Sequence, residues 1–175
     1  MVGGISWTST IDYYKLINEY TNEILGGLHS AEIIIYSIAF DVFENLLIAY
    51  DWDELEKYFS KIIQNLINAG AKIIMLGANT AHIIAYRIAE NFPQIEFIHL
   101  ADATGEKIIS QNLKTVGLLG TKYTMELDFY KNRLIDMGIN VAVPKSKKNQ
   151  RLYRLYLRTR TWKRYFQARN KRRLH

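Results

Sequence analysis

Apolar residues recur along this chain in two rhythms, and the two alternate. After Trp7 the residues Tyr13, Tyr14, Ile17 and Tyr20 fall at three- and four-residue spacing, which predicts a helix capped by Ser9 or Thr10 and running to about Leu25. Residues 32–37 hold Ile33, Ile34, Ile35 and Tyr36, a β-branched run that reads as a buried strand. Asp51, Trp52 and Asp53 open a second helical pattern through Phe59, Ile62, Ile63, Leu66 and Ile67, stopped by Gly70. Further strands are predicted at 72–76, 95–99, 115–119 and 139–143. Helices are predicted at 82–91, 103–112 and 124–137, with Pro93 and Gly138 as stops. Strands alternating with helices predict an α/β fold, a parallel sheet with helices on both faces and right-handed crossovers.

Composition narrows the chemistry. The chain has 175 residues and is 49% apolar, enough for a real core. It contains no cysteine, which excludes disulfides, thiolate metal sites and thiol catalysis. His29, His82, His99 and His175 are scattered without metal-ligand spacing, so no metal is expected. No apolar run is long enough to span a bilayer, and no basic-then-apolar leader opens the chain, so the expectation is a cytoplasmic protein with no membrane partner. Gly3 and Gly4 are followed by neither GxGxxG nor a Lys-Ser/Thr pair, which argues against nucleotide binding.

Charge is distributed unevenly. Residues 145–175 hold 13 of the 23 Lys and Arg and none of the 17 Asp and Glu. Arg151, Arg154, Arg158, Arg160 and Arg164 are interleaved there with Tyr153, Tyr156, Trp162, Tyr165 and Phe166. Cations for phosphates and rings for stacking make this segment the one place a nucleic acid could bind.

The most informative turn is at residues 77–82, Gly-Ala-Asn-Thr-Ala-His, directly after the apolar strand at 72–76. Ligands of open parallel sheets bind at the carboxyl ends of strands. Asn79 offers an amide, Thr80 a hydroxyl, and a helix N-terminus follows, a set suited to a small carboxylate. The turn has no nucleophile or acid at Ala78.

These six residues resemble the first catalytic loop of the aspartate/glutamate racemase family, in which Cys usually stands at the position of Ala78. The opening Gly-Gly-Ile-Ser-Trp-Thr-Ser-Thr at 3–10, with Tyr13, Tyr14, Ile17 and Asn18, resembles the family's first loop and helix. Leu-Gly-Gly-Leu-His-Ser-Ala at 25–31 fits as well. Val-Gly-Leu-Leu-Gly-Thr at 116–121, then Thr124, Met125, Glu126, Phe129 and Tyr130, resembles the start of its second domain. The likeness runs from about residue 2 to about residue 156. It implies flavodoxin-like three-layer half-domains facing across a cleft, a first domain over 1–112 with a shortened first strand, and an incomplete second domain over 113–156. Residues 157–175 are left as a basic tail. Back-translating 158–175 with A/T-rich codons and reading the next frame yields acidic, family-like text, so a shift of coding frame near Leu157 and Arg158 is an expectation, as is truncation.

The resemblance also implies a reaction. The family moves the α-proton of an amino acid from one face to the other without cofactor, using two cysteines as alternating base and acid. Here Ala78 replaces the first and the second is absent, so the expectation is a catalytically dead chain. The implied substrate contacts are Ser6, Trp7, Asn79, Thr80 and Thr121, although Trp7 on its own reads as a core residue and Thr121 reads equally as a helix cap. His82 is an auxiliary candidate because imidazole titrates near neutrality, against its plainer reading as a packed, hydrogen-bonded residue. Asp102 and Glu106 read as solvated or capping residues. A homodimer is implied by the family alone. The alternatives to a dead racemase are a carboxylate-binding pseudoenzyme and a basic-tailed nucleic-acid binder.

Overall fold

The computed structural model describes residues 1–144, and the basic segment with every expectation that falls on it lies outside those residues. The described residues divide into two compact units, which part between Lys107 and Ile108.

In the first unit, β1 (Val2–Gly3) runs parallel to β2 (Tyr36–Ser37), and β3 (Ile73–Met75) runs parallel to β4 (Glu96–Ile98). A parallel bridge between Val2 and Leu76, with Gly77 N–H donating to the Val2 carbonyl at 2.8 Å, joins the pairs in the order β2-β1-β3-β4. Between the strands come α1 (Trp7–Leu25), α2 (Phe40–Ala49), α3 (Trp52–Asn68) and α4 (Ala85–Asn91), the last entered through a 3-10 segment, Asn79–Ile84. α5 (Leu100–Ser110) follows β4.

α3 shows how the pattern dictates the fold. Leu55, Phe59, Ile62, Ile63 and Leu66 repeat at helical spacing and are all buried. The Asp51 carboxylate accepts from Glu54 N–H at 3.0 Å and caps the first turn. Phe59 meets Phe43 of α2 edge-on at 5.9 Å between ring centroids, and Val2, Ile74 and Leu76 of the central strands are fully buried.

In the second unit, β5 (Thr115–Gly117) pairs in parallel with β6 (Asn140–Ala142). α6 (Lys122–Glu126) and α7 (Asp128–Asp136) lie between them in sequence. Leu118, Met125, Tyr130, Leu134 and Ile139 form its buried apolar set.

The α/β reading stands, and four local expectations are corrected. The strand expected at 32–37 is paired only at β2, and Ile34, Ile35 and Tyr36 are exposed, because β2 is an edge strand with β1 as its one neighbour among the described residues. α2 had no predicted counterpart, although Phe43 and Leu47, four residues apart, are both buried. The helix expected at 124–137 is broken at Leu127, whose extended backbone (φ −91°, ψ 154°) ends α6 and starts α7. The first turn of the helix expected at 82–91 belongs to the 3-10 segment. Among the described residues no helix is long and apolar enough to cross a membrane.

Candidate functional site

The carboxyl ends of β1 and β3, adjacent in the sheet, deliver two loops to one place. After β1 the chain turns sharply at Gly4, whose φ is +86°, and enters α1 with Ser6 as its N-cap. Gly4 N–H donates to Thr10 Oγ1 at 2.9 Å, and the Ser6 carbonyl accepts from Ser9 Oγ at 2.8 Å and from Thr10 Oγ1 at 3.3 Å. Ser6 and Thr8 join through their hydroxyls. After β3 the chain passes through Gly77, Ala78 and Asn79. Ser9 Oγ also lies 3.3 Å from the Gly77 carbonyl, which ties the two loops together. A Cβ at Gly77 would stand 3.1 Å from the Val2 carbonyl, so the close approach of the turn to β1 favours glycine there.

Through Ser9 the structure thus brings the loop that carries Ser6 up to Gly77, the residue that leads into Ala78, Asn79 and Thr80. Ala78 is half-buried with extended backbone, Asn79 is exposed and Thr80 is buried. Neither residues 1–11 nor residues 73–86 contain Asp, Glu, Lys or Arg. The groups offered here to a ligand are amides, hydroxyls and backbone N–H, which can hold a carboxylate through hydrogen bonds without a formal countercharge.

Trp7, on the first turn of α1, is 46% exposed, which overturns its reading as a core residue. The expectation that Ser9 or Thr10 caps α1 is also corrected. Ser6 is the cap residue, while Ser9 and Thr10 hold the glycine loop from below. This latching role of Ser9 and Thr10 went unrecognised in the sequence, where the Thr-Ser-Thr run beside two glycines was its only signal.

His82 is 1% exposed and both of its ring nitrogens face backbone groups. Nδ1 lies 2.9 Å from the Ala78 carbonyl, and Leu100 N–H donates to Nε2 at 3.3 Å. Its ring meets that of His99 edge-on at 4.5 Å, and His99 Nδ1 accepts from Ala101 N–H at 3.1 Å. Both ring nitrogens are thus engaged by backbone groups.

Thr121 belongs to the second unit. It is the N-cap of α6: its hydroxyl oxygen accepts from Thr124 N–H at 3.2 Å and lies 3.0 Å from Thr124 Oγ1. Replacing it with alanine is expected to cost about 1 kcal/mol. A lowered urea midpoint in Thr121→Ala, with Thr121→Ser close to the parent, would show it.

On α3 and α4 an ionic cluster stitches the helices together. Arg87 pairs with Asp53 and Glu56, and Asn91 Nδ2 donates to Glu56 at 2.6 Å. The hydrogen bond from Arg87, then its charge, hold the Asp53 carboxyl below its ordinary range. Asp53 is solvent-exposed, so the pair is a surface tie of small worth. Among the described residues no group of three or more His, Asp or Glu is placed to hold a metal ion.

Comparison with known proteins bears on the family and the fold. The family described as Asp/Glu/Hydantoin racemase matches residues 2–169. The structure of a candidate Asp/Glu racemase from Yersinia pestis superposes with a TM-score of 0.80 at 41% identity, covering 86% of this chain and 65% of that one. An aspartate racemase homologue from Pyrococcus horikoshii OT3 gives 0.77 at 32% identity, covering 88% of this chain and 67% of that one. The aspartate racemase of Picrophilus torridus, at 20% identity and a TM-score of 0.59, shares the fold over 87% of this chain and 69% of its own length. The chain therefore spans about two thirds of the length of the first two.

Proposed function

Because this chain belongs to the Asp/Glu/hydantoin racemase family, we propose that it binds a small amino-acid carboxylate at the turn of Asn79 and Thr80 and does not racemise it by thiol chemistry. One observation carries the reading. At the end of β3, where the resemblance expects a cysteine, stands Ala78, and none of the 175 residues is a cysteine. A methyl group neither accepts nor returns a proton. The binding groups around it remain: the Asn79 amide, the Thr80 hydroxyl, and the loop of Ser6 fastened to the turn through Ser9 and Gly77. Aspartate and glutamate are the ligands to try first, on the strength of the family. No cofactor is required by this reading.

Calorimetric titration with L- and D-aspartate and L- and D-glutamate tests the binding arm. Saturable binding is expected, weakened about ten- to hundredfold in Asn79→Ala, the worth of one hydrogen bond to a charged group. Absence of any heat, or an unchanged affinity in Asn79→Ala, would count against the pocket. Rapid interconversion of D- and L-aspartate would overturn the catalytic arm.

A further inference from the structure

The Ala78 turn is held from behind by a residue that the proposed binding role does not use. His82 is buried, its ring packed edge-on against His99 at 4.5 Å and Phe97 at 6.0 Å. The Ala78 carbonyl, 2.9 Å from Nδ1, can only accept. The Leu100 amide, 3.3 Å from Nε2, can only donate. One form of imidazole satisfies both at once: neutral, with the hydrogen on Nδ1 and the lone pair on Nε2. The ring therefore spans from the turn after β3 to the first residue of α5. A neighbouring ring makes a parallel contact, since His99 Nδ1 accepts from the next amide of that helix, Ala101.

We propose that His82 is a positioning residue of the carboxylate turn: as the Nδ1–H tautomer it bolts the Ala78 carbonyl to the Leu100 amide and so sets where Asn79 and Thr80 are presented to the ligand. This rests on the carboxylate reading above for its effect on affinity, while the clamp itself stands on the two hydrogen bonds. The clamp also explains why a buried polar ring follows Thr80 by two residues. An aliphatic side chain would fill the space and leave the part-buried Ala78 carbonyl and Leu100 amide without this partner.

The experiment separates the two nitrogens. Long-range proton–nitrogen correlation of the uniformly labelled protein reads the tautomer. A protonated Nδ1 and a bare Nε2 on His82 at pH 7 are expected, and an Nε2–H ring or an imidazolium would overturn the clamp. Asparagine at this position places its amide near Nδ1, and glutamine places its own near Nε2. His82→Asn is expected to keep L-aspartate affinity within about threefold of the parent while Leu100 amide exchange quickens at least about tenfold. His82→Gln is expected to do the reverse, holding Leu100 protection and losing about fivefold or more in affinity. If both variants lose affinity and Leu100 protection to the same degree, His82 is a packing residue only and the proposal fails. If the parent binds neither aspartate nor glutamate, the carboxylate reading falls, and the tautomer and Leu100 exchange still decide whether the clamp exists.

Discussion

L-Aspartate incubated with this protein in D2O should keep its α-hydrogen, with exchange no faster than in buffer. Racemisation without a cofactor needs one group to remove that hydrogen and a second, on the opposite face, to supply another. Each such group is worth roughly 10²–10⁴ in rate. At Ala78 the first is a methyl. The hydroxyls of Ser6, Thr8 and Thr80 are weak bases at the ordinary pKa of an alcohol, and His82 has its nitrogens turned to Ala78 and Leu100. Restoring sulfur separates the parts of the argument. In Ala78→Cys near pH 9, where a thiol of pKa about 8.5 is largely ionised, deuterium should enter one enantiomer with retention of configuration. A single base removes and returns the hydrogen on the same face, so exchange appears without inversion. NMR loss of the α-hydrogen signal together with chiral chromatography distinguishes the two. Brisk inversion by the parent chain would mean that another residue carries protons and that Ala78 is not the decisive position.

Gly4→Ala should be the most damaging single methyl in the first unit, lowering stability by about 2–5 kcal/mol. Two costs combine. At φ +86° an L-residue is strained in its own backbone. The added Cβ would also overlap the Ile38 carbonyl and come within 2.7 Å of the Ile38 nitrogen, both main-chain atoms that cannot rotate away. Ile38 N–H donates to the Gly3 carbonyl at 3.0 Å, so making room means prying the continuation of β2 off β1. Gly70→Ala is the matched control: its φ is +96° with nothing within 4 Å of the added Cβ. It should lose only the strain, about 1–2 kcal/mol. Since a domain of this kind holds about 5–15 kcal/mol in total, Gly4→Ala should show a far lower denaturation midpoint or fail to accumulate, while Gly70→Ala folds. Similar midpoints for the two would show that the contact at Ile38 relaxes cheaply.

The legible parts of the molecule are those whose burial repeats at a fixed spacing. α3 could be read from Leu55, Phe59, Ile62, Ile63 and Leu66, because a helix facing a sheet must turn one stripe inward. β3 and its turn could be read from the apolar run ending at Gly77. Periodicity failed where neighbours decide. Ile34, Ile35 and Tyr36 look like a core strand but occupy an edge, and Tyr14 and Tyr20 look like a helix stripe yet are more than half exposed. Trp7 misled for the same reason: a large ring is an apolar residue on paper, and only its place on the first turn of α1 leaves it nearly half exposed.

The candidate site divides along the same line. Which chemical groups exist is a property of the residues alone: Ala78 without a thiol, Asn79 and Thr80 as donors, and loops free of formal charge were all determined before any fold. Their organisation was not. That Ser9 reaches Gly77 sixty-eight residues away, that Thr10 holds Gly4, and that His82 joins Ala78 to Leu100 are facts of three-dimensional proximity. Side-chain chemistry is carried residue by residue along the chain, but hydrogen-bond partners are chosen by which strands lie side by side, and only the folded sheet makes that choice.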